Sequence, residues 1–546
     1  MSPRAAAPSS AATGGTSTSA GSVLLVLASS QFLMTLDTSV MNVSIKSVAN
    51  DLGTTVTGIQ TAITLYTLVM AAFMITGGKV GALLGRRRAF GLGLIVYGCG
   101  SLVTAASPNL TVLLVGWSGL EGLGAALIMP AIVALVAANF PSERRSAAYG
   151  LIAAAGAIGV AAGPLIGGAV TTFASWRWVF VGEVVIVLVI LIFLRRLHDI
   201  RAEHISFDVV GAGLSVAGLF LTVLGVLRAG VWGLVRPKPG APSLAGASIV
   251  IWLILAGLLL IGALILWEGR VEGRGGEPMF RPSLFRSVRL TGGLVAFFFQ
   301  FMVQSGLFFT IPLFLSVVLE LSALQTGLRI LPLSVTLLLA ALLVPRLAPR
   351  ASPRLVVRVG LLAILAGTMV LVAGLNPDAD AGIVLIPMAL VGAGIGALAS
   401  QLGAITVSGA PDSQSAEVGG LQNTFTNFGA SLGTAVVGAV LIAGLTSGLM
   451  HGVSNNPAIP SSVTATATVQ LEGGVPFVSD SQLRSKLAST DLPPATDEAI
   501  VAENASARLY GLRSALWVVV LMVVAALFCT GLLPRQSLVA TRKEPS

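Results

Sequence analysis

Apolar runs of helix-spanning length alternate with short polar turns along almost the whole chain, from Ser22 to Leu533. A helix that crosses a bilayer needs about 20 mostly apolar residues. Fourteen runs meet that length, near 22–45, 57–78, 89–107, 110–138, 146–170, 175–194, 208–228, 246–267, 290–319, 326–345, 354–375, 380–408, 416–449 and 511–533. The pattern predicts an all-α polytopic membrane protein.

The polar turns set the expected orientation, because basic residues concentrate in cytoplasmic loops. The turns after even-numbered spans carry Lys79 and Arg86–Arg88, then Arg144 and Arg145, then Arg195, Arg196 and Arg201. Later ones carry Arg270, Arg274, Arg281, Arg286 and Arg289, then Arg346, Arg350, Arg354 and Arg358. The turn between spans twelve and thirteen breaks the trend with only Asp412 and Glu417, and the opposite turns are sparse in charge. Both termini read as cytoplasmic, in a plasma-membrane protein. One outer segment, 450–510, is long and rich in Ser, Thr, Pro and Ala, and its end has helical spacing that runs into span fourteen. It reads as a tolerated insertion, with an external lid as the other reading.

Composition sharpens this picture. Of 546 residues 55% are hydrophobic and only 10% charged, against about 25% charged in soluble domains; mean hydropathy is +0.92. So few charges cannot cover a water-soluble surface. The net charge of +9 would suit nucleic acid, but the basic residues sit in short turns between apolar runs, so the expected partner is the lipid bilayer and not nucleic acid. Cys99 and Cys529 lie far apart in apolar runs, and His198, His204 and His451 fall in turns. They offer neither a disulfide framework nor metal-ligand spacing, and no cofactor is implied. Residues 1–21, rich in Ala, Ser, Gly and Pro, read as a disordered cytoplasmic segment without the features of a secretory signal.

Against this apolar background a few polar side chains stand out. Asp37 is a carboxylate in the otherwise uncharged stretch Ser22–Ile45, where insertion costs roughly 2.5–3.5 kcal/mol. Ser30, Asp37 and Ser44 are seven apart and share a helix face, with Met34 and Met41 beside them. That stripe suits a cavity wall in which binding a proton or a cation acts as a switch; the alternative is a structural Asp bonded to nearby hydroxyls. Glu121, between Ser118 and Gly124, faces protein and reads as a second proton site or as the partner of a basic residue such as Arg177. Glu183, close after Arg177 and Trp178, reads as a snorkelling or paired charge at the outer interface. Span nine places Phe297, Phe301, Gln304 and Phe308 on one face, with Gln300 four residues before Gln304. Such a face suits a flat lipophilic or cationic molecule. Gln422, Asn423, Thr426 and Asn427 form a comparable polar cluster in span thirteen.

The turn "GGKVGALLGRRRAF" after span two has a degenerate echo, "VPRLAPRASPRLVV", after span ten. The spacing divides the chain into two six-helix halves with spans seven and eight inserted between them, an arrangement that places substrate at the midplane. The expected organisation is a half at 22–194, the inserted pair with its flanking loops at 195–288, a half at 289–533 and a cytoplasmic tail at 534–546. With "LDTSVMNVSI" in span one, "GAIGVAAGPLIGG" in span five, "WRWVF", "LSALQTGLRILP" and "GGLQNTFTNFGASLGTA", the chain resembles the major facilitator superfamily, specifically its fourteen-span drug:proton antiporters.

The resemblance implies a major facilitator fold, gating by the loop holding Gly81, Arg86, Arg87 and Arg88, and a leak-limiting span five with Gly159, Gly163, Pro164 and Gly167 in register. Topology-setting charge is the other reading of the arginines, and a packing kink the other reading of Gly163–Pro164. The chain departs from the family pattern at Ala82, where an Asp is usual, and at Ser118 and Glu121, where an Arg and a Gln are usual. Lys46 stands in place of a Pro, and Gly182–Glu183–Val184 in place of Asn-Val-Pro. What the resemblance implies is a non-enzymatic, monomeric secondary transporter that exports small lipophilic or cationic compounds in exchange for protons. The alternative is export of an endogenous metabolite, peptide or lipid without proton coupling. An ATP-binding GxxxxGK[ST] motif is absent from the sequence.

Overall fold

The computed structural model describes residues 16–140, 142–198, 207–348, 350–376, 381–410, 414–460, 477–488 and 492–535. The expected N-terminal disorder, Arg201, His204, most of the tail and the middle of the 450–510 segment lie outside the described residues. Among the described residues, fourteen helices are long and apolar enough to cross a membrane. In order, the first seven are Gly21–Asp51, Val56–Leu84, Arg86–Ala105, Leu110–Val136, Ala148–Phe173, Arg177–Arg196 and Val209–Trp232. Ile249–Gly273, Val288–Val318, Ala323–Leu347, Pro353–Gly374, Gly382–Thr406, Glu417–Asn455 and Pro494–Leu532 complete them. We number these spans one to fourteen. Span fourteen begins well before the apolar run, because its first turns are polar but helical in spacing. One feature falls outside an all-helical reading. Ser243–Leu244 pairs with Ala247–Ser248 across a turn in which Ala245 and Gly246 both take positive φ, the conformation such tight hairpins require.

An even number of crossings puts the start of span one and the end of span fourteen on one face of the bundle, here the terminal face. The opposite, distal face carries the turns after spans one, three, five and nine. Within the first half, span one packs along span five, and span three lies between spans four and six. The two halves meet where span two runs along span thirteen and span five along span ten. Hydrogen bonds lock the first seam: Gln60 Nε2 donates to the Thr434 carbonyl at 3.2 Å, and Ser431 Oγ to the Thr64 carbonyl at 2.9 Å. The second seam is closed by backbone approach. A Cβ at Gly327 of span ten would collide with the carbonyl of Pro164 in span five. Inserted span seven covers the first seam, packing Leu219, Val223 and Leu227 against Leu68, Ala72 and Ala435.

The distal face is stitched across the halves. Lys46 Nζ donates to the Ser316 carbonyl at 2.8 Å, and Arg508 Nη1 to that of Val317 at 3.3 Å. These cations meet the carbonyl end of span nine, which has no helical partners of its own and carries partial negative charge. That is why a lysine stands at the end of span one. The short helix Asp480–Leu487 adds a second layer. Gln482 donates to Asn50 Oδ1 at 2.7 Å, the Ser481 amide to Glu320 at 3.0 Å, and Asp480 pairs with the buried Arg508. This part of the 450–510 segment covers the junction of the halves.

Candidate functional site

Asp37 is fully buried, and its surroundings come from four other spans. Trp117 of span four donates its indole N–H to both carboxylate oxygens, at 2.9 and 3.1 Å. Tyr66 of span two stacks on that indole, with ring centroids 4.9 Å apart and planes 8° from parallel. Span four makes this possible by loosening into a π-helical stretch, Leu114–Glu121, a local widening found often at functional sites. The stretch ends on Glu121, itself fully buried and accepting a hydrogen bond from Thr104 of span three at 3.0 Å.

Glu183 completes the group. It is 1% exposed and accepts from Ser101 at 3.2 Å and from the Tyr97 hydroxyl at 3.5 Å. One oxygen from each of Asp37, Glu121 and Glu183 lies within 4.8 Å of the other two. The expected outer-interface placement of Glu183 is therefore corrected. Span six begins at Arg177, and more than a full helical turn carries Glu183 inward to face span three. Arg177 is not the partner of Glu121 either. It pairs with Asp51, which also accepts from Trp176 at 2.9 Å, and donates to the Ser107 carbonyl at 2.7 Å.

Three full charges at this separation repel one another by about 3 kcal/mol per pair at an effective dielectric of about 20. Among the described residues no lysine or arginine forms an ion pair with any of the three. The position where the family pattern has an arginine holds Ser118, whose hydroxyl donates to the Ala62 carbonyl at 2.8 Å. A site of this kind can be neutralised only by what it binds, protons or a cation.

The other expected site residues are placed as follows. Met34 and Met41 are buried in the main core. On span nine Phe297 and Gln300 are buried, while Phe301, Gln304 and Phe308 are half-buried. Phe308 lines a small cavity between the halves with Ser39, Asn42, Pro164, Ser334 and Met388. On span thirteen Gln422 and Asn423 are half-buried, and buried Asn427 donates to the Asn423 carbonyl at 2.9 Å. Gly159, Gly163 and Gly167 lie against Thr35, Ser39 and Val40 of span one. On the terminal face Arg86 donates to the Gly78 carbonyl at 2.7 Å, beside Gly81, and Arg87 to that of Leu197 at 3.2 Å, while Arg88 is exposed.

Trp117, Tyr66, Tyr97, Ser101 and Thr104 were not singled out from the sequence. The available signals were polar Ser101 and Thr104 on an otherwise apolar span three, and Trp117 in the middle of span four.

The geometry agrees with comparisons to known proteins. The family model of the Major Facilitator Superfamily matches residues 27–434. The chain is 32% identical over 450 residues to the cephamycin export protein CmcT of Amycolatopsis lactamdurans, covering 80% of this chain and 88% of that one. It is 29% identical over 446 residues to the puromycin resistance protein pur8 of Streptomyces alboniger, covering 79% and 84%. Among solved structures, a bacterial homolog of the human lysosomal transporter Spinster superposes with a TM-score of 0.57 at 16% identity, covering 97% of this chain and 100% of that one. With its fourteen spans and paired halves, the chain belongs to the Major Facilitator Superfamily of membrane transporters.

Proposed function

We propose that this transporter exports small lipophilic or cationic organic compounds in exchange for protons, with Asp37 and Glu121 as coupling residues. The observation that carries the reading is the pair of fully buried carboxylates in the first half without a basic partner. A group of this kind is tolerated in a membrane interior when binding a proton offsets its burial. Span one, which holds Asp37, also lines the cavity between the halves through Ser39 and Asn42. A change in charge at Asp37 is thus two residues from a group that a substrate would touch. Across that cavity stand Phe308 of span nine, Ser334 of span ten and Met388 of span twelve. The rest of the phenylalanine and glutamine face of span nine and the polar cluster of span thirteen would extend this wall for substrate. The terminal face, rich in arginine, is cytoplasmic, and the protein works as a monomer in the plasma membrane. The names of its relatives, resistance and export proteins, support an outward direction of transport.

Everted vesicles carrying the wild type or Asp37→Asn test the reading. After a proton gradient is established, lipophilic cations and neutral drugs are added and the gradient is followed. Dissipation by the wild type with one or more compounds, absent in Asp37→Asn, is the expected result. Equal responses from both forms would remove Asp37 from coupling. Ser118, standing where a basic residue is usual, favours a second reading, export of an endogenous metabolite, peptide or lipid without proton coupling. Under that reading substrate flux is indifferent to the gradient.

A further inference from the structure

Glu183 is the buried carboxylate of the first half that the reading above leaves unused. Asp37 receives two bonds from Trp117, Glu121 Oε1 one from Thr104, and Glu183 Oε2 those of Ser101 and Tyr97. The remaining oxygens of the two glutamates, Glu121 Oε2 and Glu183 Oε1, are buried without a hydrogen-bond partner. The hydroxyl of Tyr66, 1% exposed, lies beside Asp37. Buried polar atoms are seldom left unpaired, and here two carboxylate oxygens are, on glutamates that with Asp37 bring one oxygen each within 4.8 Å of the others.

What they lack is hydrogen. The ionisable groups facing this point are Asp37 from span one, Tyr66 from span two, Tyr97 from span three, Glu121 from span four and Glu183 from span six. Span five, packed on span one, contributes none between Gly150 and Phe173. Two carboxylates that share a dry site keep one proton between them. By the same repulsion three keep two.

We propose that Glu183 is a third proton-binding residue of this transporter and that Asp37, Glu121 and Glu183 together hold two protons. This rests on the proton-exchange reading. Each added proton makes a carboxyl O–H that fills an empty acceptor of its neighbour, leaving one charge on the group, shared with the Trp117 N–H. Both protons enter from one side of the membrane and leave on the other, so no bond other than O–H forms or breaks. One side of the exchange carries two positive charges, and export of a monovalent cation then moves one net charge inward.

Infrared difference spectroscopy on the purified protein tests the count without a transported substrate. Carboxylic C=O absorption is followed from neutral to alkaline pH in the wild type, Asp37→Asn, Glu121→Gln and Glu183→Gln. The expected result is loss of about half the absorption that the site contributes when Glu183 is replaced. Ser101→Ala, which keeps the carboxyl and removes one donor, shifts the Glu183 band in frequency and guards against misfolding of the glutamine variant. An unchanged spectrum in both Glu183→Gln and Ser101→Ala overturns the proposal. That outcome leaves the effect of Asp37→Asn on vesicle gradients standing, so the two readings fail separately. If protons are bound but drive no transport, the spectra hold and the vesicle assay fails.

Discussion

Ser39 of span one donates its hydroxyl hydrogen to the carbonyl of Val160 in span five, at 3.2 Å. Val160 is four residues before Pro164, whose ring nitrogen has no hydrogen to return to it. A side chain two residues from Asp37 thus replaces the bond that the proline removes. Ser39→Ala leaves that carbonyl unpaired, at about 1 kcal/mol, and lowers the melting temperature in detergent. Pro164→Ala restores a helical donor, so Ser39→Ala should shift melting much less in that background. Equal shifts in both backgrounds would sink the account.

The same contact forbids bulk at its neighbour. A Cβ at Gly163 would collide with the Cβ and Oγ of Ser39, so Gly163→Val pushes span one from span five. Overpacking of this kind costs about 1–3 kcal/mol. We expect a lower melting temperature and a clear loss of efflux, whereas Gly150→Val, in open space, should leave both unchanged. Vesicle transport and thermal melts on the two variants decide it.

The spans were legible in the sequence because hydropathy over about 20 residues is a local property. Asp37 and Glu121 were legible because an ionisable residue in such a run is conspicuous by itself. Glu183 was equally conspicuous, yet its neighbours Arg177 and Trp178 suggested an outer-interface position, whereas the fold buries it. Its true partners, Tyr97 and Ser101, lie more than eighty residues away, a relation that no local pattern carries. Lys46 could be noted only as a departure, since the span-nine carbonyl it meets is 270 residues distant.

Two ion pairs on the distal face should differ in worth. Asp51 and Arg177 are 44% and 29% exposed, whereas Arg508 is 1% exposed beside Asp480. Exposed pairs contribute about 0.2–1 kcal/mol, while a buried charge that loses its partner costs about 3–5 kcal/mol. Asp480, itself 33% exposed, lets water take up part of that loss. Asp480→Ala should still lower the melting temperature more than Asp51→Ala. The reverse order would falsify the assignment of Arg508 as a buried cation held by this carboxylate.

Trp117→Phe keeps a ring against Tyr66 and removes the one N–H that Asp37 shares between its two oxygens. Proton-driven transport should fall by about tenfold, equivalent to about 1.4 kcal/mol, while equilibrium binding of a transported dye changes little. Loss of dye binding in parallel with transport would instead make Trp117 part of the substrate wall.

The covering helix brings its own pH dependence. Burial raises the affinity of Glu320 for a proton, but the Ser481 amide, the Ser481 and Ser479 hydroxyls and the Lys46 charge outweigh it and hold this carboxyl below its usual range. A carboxylate so depressed contributes stability that is fully present above its unfolded value of about 4.3 and is lost as pH falls through the lower folded one. Docking of Asp480–Leu487 should therefore be constant near neutrality and loosen only in acid. Cysteines at Asn50 and Gln482, whose side chains now meet at 2.7 Å, report this as a cross-linking rate. Taken relative to the unfolded double-cysteine chain at the same pH, which cancels the loss of reactive thiolate in acid, the rate should hold steady down to about the unfolded value and then drop. Glu320→Gln should remove the drop while lowering the neutral rate. A rate that falls between neutral pH and that value, or a drop that survives Glu320→Gln, would assign the acid sensitivity to another group.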